Sequence, residues 1–558
     1  MNRTQDRFLI AALLLALAAC GGGGGGGDSS APSATASASS SSVTSSAAAS
    51  SVAASSVAAS SVASSAAASS VASSAASSAA SSTASSVVSS AASSVGTPVT
   101  GSATRPVLSA SQATNYTMAK VLGVKGTAGS ETSDPWDPST DTFMAGTSTV
   151  TPGYTVDPSI AANTVTSFKT IQAAISQAAI DQVASGLTTR IYIQVKPGTY
   201  AELVYIPAIA APITLYGTSS DASLTKVRAV IDQGMTGATY TTNFSGQFSS
   251  VQSLITAMYT SLNAKATLGT SGSAMVWVKN NGFQAKNITF ENGYNEDRTD
   301  SASNCLNSNC VPANAAGQWS KGNHQAVALM VDGADKVQFE NVRFVGNQDT
   351  LYLKSSTVGT TVRSYFNNSY VEGDVDFIFG RATAYFNKST IKSLGARTTL
   401  SYATAPSTNY NTSYGFVFND CDFVSDGYAA AGSFNLARQW FEGQKCSPYG
   451  DSKATCVVDT TNTVTESTTA IRLSTVETVG KTIILNSRIG AHINGTSPWA
   501  DWSSTSSATN YRLVTLSSDD YWDKLVAAGK TPATYYPATG VKKSPVDPFL
   551  AEYNDVSN

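Results

Sequence analysis

From Ala285 onward the apolar and polar positions of the chain recur in a single frame: apolar, any, polar, any, any, apolar. Asn287, Asn341, Asn368, Lys388, Asp420 and Asn486 hold the polar column. Two residues before each stand Ala285, Phe339, Phe366, Phe386, Phe418 and Ile484, and three after stand Phe290, Phe344, Val371, Ile391, Phe423 and Ile489. Recurrence at a few tens of residues is what a stacked solenoid needs, because one coil alone cannot bury its apolar face. The segments between Gly, Asn and Ser clusters are rich in Val, Ile, Phe and Tyr, which predicts β coils rather than helical ones. The pattern therefore predicts an all-β chain folded as a parallel β-helix. Ahead of it, Thr166–Ala179 carries a capping residue followed by apolar positions at helical spacing, predicting an N-terminal helix that covers the open end of the first coil. Ile191–Val195 and Ile213–Gly217 read as strands, and Glu202 as scaffold.

Composition changes the picture at the N-terminus. The chain has 558 residues and 42% hydrophobic composition, but much of the apolar share is Ala and Val in a stretch unable to fold. Arg3 and Arg7 precede a short apolar run from Phe8 to Ala19, which is too short for an ordinary membrane span and predicts an export signal over residues 1–20. Leu17-Ala18-Ala19-Cys20 is similar to a bacterial lipobox, which implies lipidation of Cys20; a plain secretory signal cleaved nearby is the alternative. Gly21 rather than Asp after the Cys resembles the outer-membrane class, so the expected location is exported and lipid-anchored at the outer membrane. Residues 21–104 collapse to Gly, then Ser, Ala and Val, predicting a disordered linker ahead of a folded domain over 105–558.

Charge and motif content exclude several chemistries. A net charge of −3 leaves no basic footprint for nucleic acid. Two His and no Gly-x-Ser-x-Gly elbow disfavour a Ser-His-Asp hydrolase. No Cys/His cluster has zinc spacing and no Gly-rich phosphate loop follows a strand, so neither metal nor cofactor is expected. A long polar excursion from Glu291 to Asn323 is either functional, in which case it walls the binding groove, or disordered. In an oxidising compartment Cys305 with Cys310 and Cys446 with Cys456 are the expected loop-closing pairs, leaving Cys421 as a buried inert thiol.

Chemistry concentrates in two short motifs, Gly346-Asn347-Gln348-Asp349-Thr350-Leu351-Tyr352 and Gly373-Asp374-Val375-Asp376-Phe377-Ile378-Phe379-Gly380. Each sets a carboxylate among apolar residues, where ionisation is costly without a partner or a proton. Asp349 follows Asn341, and Asp376 follows Asn368, by the same eight residues. Both therefore share one phase of successive coils, whose strands lie about 4.8 Å apart. Gln325, about one coil before Asp349, joins the same face. The plainer alternative makes both Asp residues turn formers.

Five ordered motifs, Gly198-Thr199-Tyr200-Ala201-Glu202, Gln325-Ala326-Val327-Ala328-Leu329, Gln348-Asp349-Thr350-Leu351, Val375-Asp376-Phe377-Ile378-Phe379-Gly380 and Leu436-Ala437-Arg438-Gln439-Trp440, carry a resemblance to the pectin methylesterases. The resemblance covers roughly Ser167 to Trp499. It implies a right-handed single-stranded parallel β-helix, a monomer, and methyl-esterified pectin as substrate. By the resemblance Asp376 is the nucleophile, Asp349 the general acid/base, Gln325 and Gln348 the oxyanion donors, and Arg438 the group orienting Asp376. Trp440, Phe379 and Tyr352 match groove-lining positions, with core burial as the alternative for each. Two departures stand out: Ala437 and Gln439 replace the usual Gly and Pro, and Asp374 sits beside the nucleophile. The alternatives are an acyl-CoA thioester hydrolase of the same fold, suggested by the lipobox, a glycosidic-bond hydrolase, and a non-catalytic polysaccharide-binding β-helix.

Overall fold

The computed structural model describes residues 96–294, 325–441, 446, 456–502, 512–527 and 548–557. Cys20, Cys305, Cys310, the export signal, the linker up to residue 95 and most of the polar excursion lie outside them.

All six members of the polar column adopt left-handed backbone, with φ of 55° at Asn287, 52° at Asn341, 47° at Asn368, 50° at Lys388, 54° at Asp420 and 53° at Asn486. Asn and Asp tolerate this conformation better than other non-glycine residues, which explains the bias of the column. The bend separates paired strand halves, such as Arg363–Asn367 from Tyr370–Gly373. Side-chain amides then bond from coil to coil: Asn341 donates to Asn287 at 2.9 Å, and Asn387 to Asn367 at 2.8 Å. The apolar position ahead of the bend stays in register through Ala285, Phe339, Phe366, Phe386, Phe418 and Ile484. Phe339, Phe366, Phe386 and Phe418 stack with successive ring centroids 4.7, 4.3 and 4.5 Å apart. The result is a parallel β-helix with this ladder inside it.

The column runs one coil further than its sequence frame indicates. Asn554 has φ 55° and donates to Asn486 at 2.9 Å. The frame misses it because Glu552 and Ser557 fill its two apolar positions; the buried Glu552 carboxylate receives Arg105 Nε at 2.7 Å and Nη2 at 2.8 Å. Arg105 thus ties the N-terminal segment to the last coil. The predicted linker boundary at 104 is corrected in the same place: Thr97–Pro98 already pairs with Val556–Ser557. That pairing covers a sheet edge that would otherwise expose unpaired backbone groups. Downstream, Leu108, Val121 and Leu122 pack on Tyr365, Tyr385, Val417 and Ile483 along the outer wall.

One wall is a sheet of 19 strands and another a sheet of eight. The latter contains one strand per coil: β1 (Val204–Ile206), β2 (Val276–Val278), β3 (Leu329–Asp332), β4 (Leu351–Lys354), β5 (Val375–Gly380), β6 (Tyr402–Pro406), β7 (Asn435–Arg438) and β8 (Trp499–Ala500). All are parallel and ordered as in the chain.

The N-terminal helix, α1 (Ile171–Ser185), begins later than its sequence pattern suggests, because Ser167–Phe168 pairs as a strand with Thr155–Val156. Thr170 caps it, and Ile171, Ala174, Ile175 and Ala178 join the core. Glu202 finishes the cap by accepting from the backbone N–H groups of Ile171 at 2.8 Å and Gln172 at 2.9 Å. Burial pushes its carboxyl up to about 7 despite those two donors. Between the ordinary value and about 7 the folded chain holds a proton that the unfolded chain releases, so this residue's contribution to stability is lost as pH rises through that window. Glu202→Gln is expected to flatten this pH dependence of the thermal midpoint and to leave turnover unchanged.

Cys446 and Cys456 form a disulfide. Cys421 is a buried free thiol, pushed by burial up to about 12, as expected of an inert side chain.

Candidate active site

Strands β4 and β5 hold the two acids on adjacent coils. Leu351 pairs with Ile378 and Tyr352 with Phe379, so Asp349 and Asp376, each two residues earlier, occupy the same register. Both are left-handed, with φ 62° at Asp349 and 53° at Asp376, a conformation that Asp tolerates better than most non-glycine residues. Backbone bonds hold the two turns together: Asp349 N–H donates to Val375 O at 3.1 Å, and Asp374 N–H to Asn347 O at 3.0 Å. Gly373 permits this approach, since a Cβ there would lie 2.4 Å from Asn347 O and 2.2 Å from Phe377 Cβ. Gly380 is needed too, at φ 120° with Leu353 O only 2.1 Å from where a Cβ would stand.

Arg438, at the end of β7, grips Asp376 with two parallel bonds, Nε to Oδ1 at 2.8 Å and Nη2 to Oδ2 at 2.5 Å. This fork-to-fork pairing fixes direction as well as charge. The guanidinium is itself held between two rings, 4.3 Å from the Tyr402 centroid and 4.4 Å from that of Trp502. Burial alone would lower its pKa, but the Asp376 charge and hydrogen bonds outweigh that and raise it, so it stays cationic. Asp349 is the opposite case. Burial first, then the adjacent Asp376 carboxylate and Asp374, raise its pKa well above the ordinary carboxylate value against the pull of Arg438. One acid is thus paired with a fixed cation, and its neighbour is biased toward the protonated form, as acid/base division between like side chains requires.

Gln348 immediately precedes Asp349, and its backbone O accepts from Ala326 N–H at 3.1 Å. That bond brings Gln325, the residue before Ala326, to the same end of β3 and β4; its side chain is buried. Tyr352 and Phe379 stack with centroids 4.2 Å apart and are each only 2% exposed. Trp440 meets both edge-on, at 6.2 Å and 5.7 Å, and is the more open of the three. Tyr352 and Phe379 therefore act as the buried base on which the Trp440 ring rests.

Four residues of the site were not singled out from the sequence as site residues. Tyr402, Trp502 and Arg397 lie outside the five motifs, on other coils, and only the coil register shows that they converge. Arg381, directly after the Gly380 turn, is half-buried near Tyr352, and desolvation lowers its pKa. Among the described residues no group of three or more His, Cys, Asp or Glu is arranged to hold a metal ion.

The chain is similar to several known proteins. The family model described as Pectinesterase matches residues 299–443. A pectinesterase of Ralstonia solanacearum is 36% identical over 404 residues, which cover 72% of this chain and 85% of the relative. The solved structure of rice weevil pectin methyl esterase aligns with a TM-score of 0.56 at 27% identity, covering 83% of this chain and 99% of that one. Escherichia coli YbhC, named as a putative acyl-CoA thioester hydrolase, is 33% identical over 345 residues, or 60% of this chain and 72% of the relative.

Proposed function

Because the chain belongs to the pectinesterase family of carboxylic ester hydrolases, we propose that it hydrolyses the methyl esters of galacturonate units in pectin, using Asp376 as nucleophile and Asp349 as general acid and base. The observation that carries this reading is the forked Arg438–Asp376 pair on the coil next to a buried Asp349 whose proton is favoured.

In this mechanism an Asp376 oxygen attacks the ester carbonyl carbon, and negative charge gathers on the carbonyl oxygen. Side-chain N–H groups of Gln325 and Gln348 stabilise that oxyanion. When the C–O bond to the methoxy group breaks, Asp349 gives up its proton and methanol leaves, so that Asp376 and the sugar share a mixed anhydride. Asp349, now ionised, takes a proton from water as the water oxygen adds to the acyl carbon. Asp376 departs as a carboxylate into the grip of Arg438, and Asp349 is again protonated. The half-buried ring of Trp440 supplies a flat apolar surface for a pyranose ring.

A second reading follows from YbhC, whose name indicates thioester hydrolysis. The same two acids would serve an acyl-CoA substrate, with thiolate as leaving group. Incubating the protein with methylated pectin and, separately, with acyl-CoA separates the two. We expect methanol without new reducing ends, and thiol release slower by at least about 100-fold, the difference of roughly 3 kcal/mol that a fitted polar site can impose. Faster thiol release would favour the second reading. New reducing ends would indicate glycosidic cleavage, and turnover of neither substrate a binding protein.

A further inference from the structure

The Asp374 carboxyl is fully buried two residues before the nucleophile, and Arg397 from the next coil reaches it with only 4% of its own side chain exposed. Arg397 Nε donates to Asp374 Oδ2 at 2.5 Å, and its Nη2 contacts the same oxygen. The other carboxylate oxygen accepts from Val375 N–H at 2.7 Å, Asp374 O accepts the Ser401 hydroxyl, and Asp374 N–H reaches Asn347 O at 3.0 Å. Asp374 is therefore bonded through both carboxylate oxygens and both backbone groups. These bonds lead to the Asn347–Asp349 turn on one side and the Val375–Asp376 turn on the other.

A buried ion pair is weak evidence for stability, because an apolar pair of similar volume often serves as well. Its position has a more specific consequence. The left-handed φ angles of Asp349 and Asp376 are ones that Asp tolerates, so what distinguishes these two turns is how closely bonds hold them to each other. Asp374 bonds to both at once, through its carboxylate to Val375 N–H in the Asp376 turn and through its backbone N–H to Asn347 O in the Asp349 turn.

Resting on the assignment of Asp376 and Asp349 above, we propose that Asp374 and Arg397 form a positioning pair. It clamps the nucleophile's turn to that of the acid and sets the electrostatic field in which the acid holds its proton. The pair touches no reacting atom and acts through the two acids. The charged and titratable groups around Asp349 are Asp376, Arg438, Asp374 and Tyr352, of which Asp374 is the one outside the catalytic set and its aromatic support.

The test compares Asp374→Asn, Arg397→Met and the double variant, each purified and checked for folding by circular dichroism. kcat, KM and the pH profile of methanol release are then measured. Asp374→Asn keeps an oxygen for Val375 N–H but leaves the Arg397 charge uncompensated. It should lower kcat roughly 10- to 100-fold with KM within about twofold, since misplacement acts on chemistry rather than binding. The basic limb of its kcat/KM profile should move down by about one pH unit. Arg397→Met should move that limb upward, and the double variant should return it near its wild-type position while kcat stays low. The double variant removes both buried charges together and so remains measurable if either single variant fails to fold. Folded variants with wild-type kcat and an unmoved basic limb would overturn the proposal and leave the pair a purely structural one. Absence of methanol release from the wild-type protein would instead overturn the assignment of function on which it rests.

Discussion

Asp376→Asn is expected to reduce methanol release from methylated pectin by at least about 1,000-fold, because a neutral amide cannot attack the ester carbonyl and the covalent route closes. The same change should destabilise the fold. Arg438 donates two hydrogen bonds to Asp376, and the pair is largely buried, with 15% and 11% of the side chains exposed. Removing the anion leaves a buried cation with one weaker acceptor, a loss of about 3 kcal/mol. The rings of Tyr402 and Trp502 still cover the guanidinium and keep the loss at the lower end of what a broken buried pair costs. Methanol assay of the folded variant, with chemical denaturation alongside wild type, measures both effects. Activity within tenfold of wild type would remove Asp376 from the nucleophile's role.

The neighbouring substitution, Asp349→Asn, should have the opposite effect on stability. Burial and the Asp376 charge raise the Asp349 pKa. Above the ordinary carboxylate value the folded protein therefore binds a proton that the unfolded chain releases, and stability falls as pH rises through that range. An amide does not ionise, so at neutral pH the variant should be at least as stable as wild type. Its activity on methyl esters should fall by about 100- to 10,000-fold, the contribution of a positioned proton donor. The basic limb of the kcat/KM profile, which follows loss of the Asp349 proton, should disappear. Two isosteric changes on adjacent coils thus lower activity together and move stability in different directions. A retained basic limb in Asp349→Asn would assign the titration to another group.

Much of this architecture is legible in the chain because coil register copies sequence phase. Asn341 and Asn368 announce the bends, and Phe339 and Phe366 two residues earlier announce the internal stack, since backbone conformation selects one residue class and burial the other. The same phase places Asp349 beside Asp376. Where tertiary contact replaces the local rule, the pattern falls silent. Asn554 escapes the frame because Glu552 is satisfied by Arg105, from the far end of the chain. The linker boundary fails similarly: Thr97–Pro98 has no core signal and is ordered by the sheet edge it covers. Tyr402, Trp502 and Arg397 belong to coils of unequal length, so their convergence on Arg438 and Asp374 depends on loop sizes that no periodicity encodes. Asp374 is visible in the chain as an acid beside Asp376, but its partner Arg397 is not.

The most direct measurement is a rapid-quench experiment with an aryl ester of a galacturonate oligomer, whose phenolate leaves without needing a proton. In Asp349→Asn the first step survives and hydrolysis of the mixed anhydride is slowed, so about one equivalent of phenol per protein should appear in a burst before slow turnover. Asp376→Asn should give no burst. A burst in Asp376→Asn, or linear release without one in Asp349→Asn, would contradict the division of labour between these two acids.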